Sequence, residues 1–152
     1  MKFTEPTRRD ALTLAAIAGL TAVLAPKMVF ADEAAVAAEI KKLYGDKKLD
    51  SGKIKLDVPE IAENGLVVPI NVEIESPMTD ADYVKAVHVF ADGNPLPGVV
   101  TYKFTPACGK ASASTRMRLA QTQNVIAVAE MSSGQLYSAK VQVKVTIGGC
   151  GG

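Results

Sequence analysis

From Ile54 onward apolar residues recur at every second position, in short runs separated by turn residues. This period of two confines the chain to β-structure. Ile54, Leu56 and Val58 alternate with Lys53, Lys55 and Asp57. Leu66, Val68, Ile70, Val72 and Ile74 alternate with Val67, Pro69, Asn71 and Glu73; Pro69 lacks a ladder donor and marks an edge strand or a bulge. Tyr83–Ala91, Val99–Thr105, Ala113–Ala120 and Val125–Met131 follow, and in the last run Tyr137, Ala139, Val141, Val143, Val145 and Ile147 share one face. Turn residues punctuate the runs at Glu63-Asn64-Gly65, Ser76-Pro77, Asp92-Gly93-Asn94-Pro95, Pro106 to Gly109 and Ser132-Ser133-Gly134. Seven short strands of this kind predict an all-β fold, an immunoglobulin-like β-sandwich of about seven strands. Trp is absent, which excludes the Trp–disulfide core of antibody domains.

A helix precedes the sandwich. Asp32 to Tyr44 reads as that helix: Val36, Ala37, Ile40, Leu43 and Tyr44 recur at helical spacing, Glu33 sits in the first turn, Lys41 and Lys42 in the last, and Gly45 follows as a C-cap. The run Tyr83–Ala91 is apolar on both parities. It is either a central strand covered by that helix or a strand whose outer face meets another protein.

Residues 1–31 read as an export leader and not as fold. Arg8-Arg9 precedes an apolar run from Ala11 to Leu24, Pro26 ends the run, and Val29-Phe30-Ala31 supplies slim residues for cleavage. The run is too short for a hydrocarbon core of about 30 Å, so no membrane span is expected in the mature form. Thr7, the arginine pair and Leu12 resemble a twin-arginine signal, and a Sec signal is the alternative. The expected organisation is therefore a leader over 1–31, helix plus sandwich over 32–147, and a flexible glycine-rich arm over 148–152.

Composition removes several functions. A formal net charge of +1 gives no electrostatic reason to bind nucleic acid, and 5% aromatics make no base-stacking platform. Two Cys and one His cannot supply a four-ligand zinc site or a thiolate-held cluster, so neither metal nor cofactor is expected.

The sequence reaches Gly148-Gly149-Cys150-Gly151-Gly152 directly after the best-patterned strand. Glycines lose the most backbone entropy on ordering and carry nothing to pack, so this stretch is expected to be thin and mobile. From Ile147 it can carry Cys150 outward by about 10 Å, into another protein's pocket. Nothing local would activate the thiol. The competing reading is a structural Cys108–Cys150 disulfide, which export permits and which the chain-entropy model values at about 3–4 kcal/mol.

The pentapeptide GGCGG after an exported sandwich resembles the SoxY family, the sulfur-carrier subunit of the Sox thiosulfate-oxidising system. Ile61 to Val72, Ser76 to Phe90, Ser114 to Leu119 and Val125 to Met131 also resemble it. The resemblance implies a periplasmic carrier without enzymatic activity. Its thiol, at Cys150, would hold thiosulfate-derived sulfur as an S-thiosulfonate and then a persulfide, with Gly148, Gly149, Gly151 and Gly152 as the swinging arm. It further implies a heterodimer with a SoxZ-type subunit, loading by a c-type haem thiosulfate-coupling enzyme, and sulfate release by a dimanganese hydrolase. A sulfur dehydrogenase completes the set where present. The alternative of another class is an exported immunoglobulin-like binding or adhesion module whose terminal Cys forms an intermolecular disulfide.

Other reactive residues read as structural. Cys108, in a turn, is expected as a buried small hydrophobe, with a free thiol or an intersubunit disulfide as alternatives. His88 shares its parity with Val84, Ala86 and Phe90 and reads as a packed or interface histidine. Arg116 and Arg118 alternate with Met117 and Leu119 as a solvated strand face, with a role toward an anionic adduct or a docking enzyme as the weaker reading. Asp80 and Asp82 read as turn residues.

Overall fold

The computed structural model describes residues 31–148. The leader expectation falls outside the described residues except for Ala31, whose amide donates to the Asn94 carbonyl (2.8 Å). Helix α1, Glu33–Tyr44, begins where Asp32 accepts from the Ala35 amide (2.8 Å). It ends at Gly45, whose φ of +69° suits glycine and whose amide returns to the Lys41 carbonyl.

Nine strands follow: β1 (Leu49–Ser51), β2 (Ile54–Asp57), β3 (Ile61–Ala62), β4 (Val68–Ile74), β5 (Val84–Ala91), β6 (Gly98–Lys103), β7 (Ala111–Met117), β8 (Gln123–Met131) and β9 (Leu136–Val145). Seven correspond to the alternating runs. The additional β1 and β3 pair in parallel with β9 and, at three and two residues, are too short to show a period. One sheet runs β1-β9-β8-β5-β6, with β3 also on β9; the other runs β2-β4-β7. The two layers form the immunoglobulin-like sandwich. Val68, Ile70, Val72 and Ile74 of β4 face Val84, Val87, Val89 and Ala91 of β5 across a core that also holds Val125, Ala127 and Val143.

Two local expectations gain a physical explanation. β4 is the middle strand of its sheet, yet β2 pairs only with Asn71–Ile74, so Pro69 lies on a stretch flanked by β7 alone. Its missing donor therefore costs no ladder bond. β5 is apolar on both parities because α1 covers its outer face. Val36 packs with Phe90, Ile126 and Val128, joined by Ile40, Tyr44 and Leu49. A register shift at Lys85 also turns Val84 onto the inner face beside Val87.

Candidate functional site

The ordered base of the expected arm is clasped from two sides. On one, β3 and the turn after it hold β9: the Thr146 amide donates to the Ala62 carbonyl (3.0 Å), its hydroxyl to the Glu63 carbonyl (2.9 Å), and the Gly65 amide to the Ile147 carbonyl (2.8 Å). On the other, the Val145 amide donates to the Thr122 hydroxyl (3.0 Å). Gly148 then passes against the Ala120 carbonyl so closely that a Cβ there would stand 2.3 Å from that oxygen. Only glycine fits, for steric reasons and not for a left-handed backbone. Gly148 is thus seated where the expected arm would begin. Gly149, Cys150, Gly151 and Gly152 lie outside the described residues.

A buried amide sets the position of Ala120. Gln123, 4% exposed, is the buried polar side chain of the described core. Its Oε1 accepts from the Gly93 amide (2.7 Å), and its Nε2 donates to Asn94 Oδ1 and the Gln121 carbonyl. Asn94 Oδ1 also accepts from the Ala120 amide (3.0 Å), while its Nδ2 donates to the Arg118 carbonyl (2.9 Å). Each polar group is satisfied, so the network fixes two loops relative to β8 without a desolvation penalty. The turn over Asp92–Pro95 is legible in the sequence; the role of Gln123 is not, because Gly93 and Asn94 lie 30 and 29 residues away.

Cys108 corrects an expectation. It is an exposed free thiol at the end of a 3-10 turn, Pro106–Cys108, between β6 and β7. Hydrogen bonds from Thr105, the backbone first and then the hydroxyl, hold its pKa below the ordinary thiol value. This three-residue turn buries none of its residues and offers no core to enter. His88 is packed as expected: Thr101 Oγ1 lies 3.0 Å from Nδ1, Tyr44 meets the ring edge-on at 5.6 Å, and Phe90 stacks at 6.3 Å. Arg116 and Arg118 are exposed, and Thr79 and Asp82 exchange backbone hydrogen bonds in a turn. Cys108, His88 and Gly148 are not brought together. Among the described residues no three His, Cys, Asp or Glu side chains are grouped to hold a metal ion.

Fold and sequence together define an immunoglobulin-like sandwich whose last strand leads through Thr146 and Ile147 into Gly148. A family model described as sulfur oxidation protein SoxY matches residues 40–150, ending on Cys150. The sulfur carrier protein SoxY from Chlorobium limicola f thiosulfatophilum is 32% identical with a TM-score of 0.63, over 75% of this chain and 98% of that one. A superoxide reductase (neelaredoxin) from Ignicoccus hospitalis, at 15% identity and a TM-score of 0.56, covers 78% of this chain and 95% of its own, a likeness of fold. Among curated proteins none matches. The chain belongs to the SoxY family. It is a sulfur-oxidation carrier and not an enzyme, and its partners are those of the Sox system.

Proposed function

We propose that Cys150 carries the sulfur covalently and that Gly149, Gly151 and Gly152 make it deliverable from a fixed base at Gly148. The observation that carries this reading is the seating of Gly148 against Ala120, two residues before the cysteine on which the family match ends. Loading couples the thiol with thiosulfate. The Cys150 S–H bond is lost, an S–S bond to the outer sulfur of thiosulfate forms, one proton leaves, and two electrons pass to the c-type haem enzyme. Water then displaces the terminal sulfone as sulfate at the dimanganese hydrolase and leaves a persulfide on Cys150. A sulfur dehydrogenase, where the host has one, oxidises the remaining sulfur. Covalent attachment keeps one intermediate at high effective concentration through successive sites.

The carrier operates in the periplasm after twin-arginine export, as a heterodimer with a SoxZ-type subunit. The Arg8-Arg9 leader supports the route, and among the described residues no helix is long and apolar enough to cross a membrane. The competing Cys108–Cys150 bridge meets a distance problem. Cys108 precedes β7, whereas Gly148 meets Ala120 just beyond its other end. Seven residues of strand separate the two ends by about 20 Å. Cys150 reaches only about 7 Å from Gly148, and a disulfide spans about 6 Å between Cα atoms.

Cys150→Ser is expected to fold, keep its partner subunit and abolish thiosulfate-dependent electron transfer. Intact-mass spectrometry of the wild-type chain, loaded with thiosulfate, should place the thiosulfonate on Cys150. Undiminished thiosulfate oxidation by the Cys150→Ser protein would defeat the reading.

A further inference from the structure

The arm is short, and the surface around its base is unusual. Among the described residues six large hydrophobic side chains are exposed, and four belong to the end where the arm leaves: Leu66 (46%), Val67 (55%), Leu96 (74%) and Ile147 (68%). Hydrogen bonds tie these together. Gly65, next to Leu66, bonds both the Ile147 carbonyl and the Leu119 amide, and Asn94, in the loop of Leu96, bonds both Ala120 and Arg118. A groove of about 540 Å³ opens beside them between the free edges of β6 and β7, lined by Leu96, Val99, Val100 and Met117 with Arg116 and Arg118. Among the described residues neither arginine enters an ion pair.

We infer that this end is the docking face for the enzyme that receives the arm, and that the enzyme's pocket mouth is apolar with a carboxylate rim. The inference rests on Cys150 being the cargo thiol. Cys150 lies two residues past Gly148 and reaches about 7 Å from it. A buried reaction centre can be entered over so short a tether only when its mouth is pressed onto the protein around Gly148. The apolar side chains there are thus the ones buried in each transfer complex, which accounts for their remaining uncovered on the isolated chain. Arg116 and Arg118 supply the charge that orients the encounter, and only an acidic rim complements them. A second copy of the chain would bring like charges together. Contact is transient, since the carrier must leave, and a small apolar patch with steering charges suits fast exchange.

The test uses the full chain with its SoxZ-type subunit, the c-type haem coupling enzyme and thiosulfate, reading the rate of mass gain at Cys150. Arg116→Glu/Arg118→Glu should slow loading at least tenfold and remove its salt dependence. Leu66→Ser/Val67→Ser should slow it with the salt dependence retained. Lys55→Glu/Lys110→Glu makes the same charge change at the far end of that sheet and should load at the wild-type rate. Alkylation of Cys150 by iodoacetamide should be equal in all. Wild-type loading by the arginine variant overturns the docking face alone, as does loss of the SoxZ-type subunit from that variant, which would make the face the subunit interface. A wild-type chain that gains no mass at Cys150 defeats the carrier reading itself.

Discussion

At Gly148 one hydrogen atom in place of a side chain decides the path of the chain. The Ala120 carbonyl occupies the space of a Cβ, and that carbonyl cannot retreat because Asn94 and Gln123 hold the loop bearing it. Gly148→Ala is therefore expected to force the segment off the sheet, breaking the Gly65–Ile147 bond and lowering stability by about 1–3 kcal/mol, the usual cost of overpacking. Urea unfolding checks the magnitude. Cys150 alkylation should remain fast, which separates the seat of the arm from its thiol. The lone terminal cysteine was legible in the sequence. The difference between Gly148 and the other glycines was not, because its neighbour is set by packing between segments about thirty residues apart.

Helix α1 and strand β5 form the element whose assignment needed both sequence and structure. The helix and its Gly45 cap follow from local spacing, whereas the structure shows Asp32 as the N-cap and not the first helical residue. Its place over Phe90, Ile126 and Val128 depends on the sheet existing first. His88 lies in this contact, among Tyr44, Phe90 and Thr101, with Glu130 and Lys103 as nearby charges. Burial holds its pKa below the ordinary imidazole value; Glu130 raises it and Lys103 lowers it further. The folded chain thus prefers neutral His88, whereas the unfolded chain takes a proton near pH 6.5. Stability is full above about that pH and falls as pH drops below it toward the folded pKa. The urea midpoint should decline between about pH 7.5 and pH 5.5, and His88→Phe, which keeps the ring packing, should flatten that decline. The Tyr44 hydroxyl shares the contact and has no hydrogen-bond partner among the described residues; burial, with Glu130, pushes its pKa up to about 12.

At the scale of the whole molecule the sandwich separates two ends. β7 carries the chain from the turn holding Cys108 to the groove and the arm base, so the exposed thiol at one end and the seated glycine at the other have different neighbours. A carrier gains from this division, because a second reactive cysteine near the exit would compete for cargo. If docking matters because the arm is short, lengthening the arm should weaken its importance. Inserting two glycines between Gly149 and Cys150 adds about 7 Å of reach. In the Arg116→Glu/Arg118→Glu background this insertion is expected to recover part of the lost loading rate, measured by mass gain at Cys150. No recovery would mean that the arginines act on something other than approach.

Alternation every second residue, turn residues between the runs, helix caps and a cysteine set among glycines are local signals. They determined, by themselves, a β-sandwich behind one helix and a cysteine on a thin glycine segment; the expectation that it bears cargo came from the resemblance to SoxY. Ile147 shows where such signals end: the period assigns it to the inner face with Val143, yet it lies beyond β9 and is 68% exposed. Period records which side of a strand a residue takes, not whether another layer covers it. Strand order, the parallel attachment of β1 and β3, the cover over β5 and the clustering of uncovered apolar residues around the arm arise from contacts between distant segments. Only the tertiary structure brings those segments together, and so only it decides them.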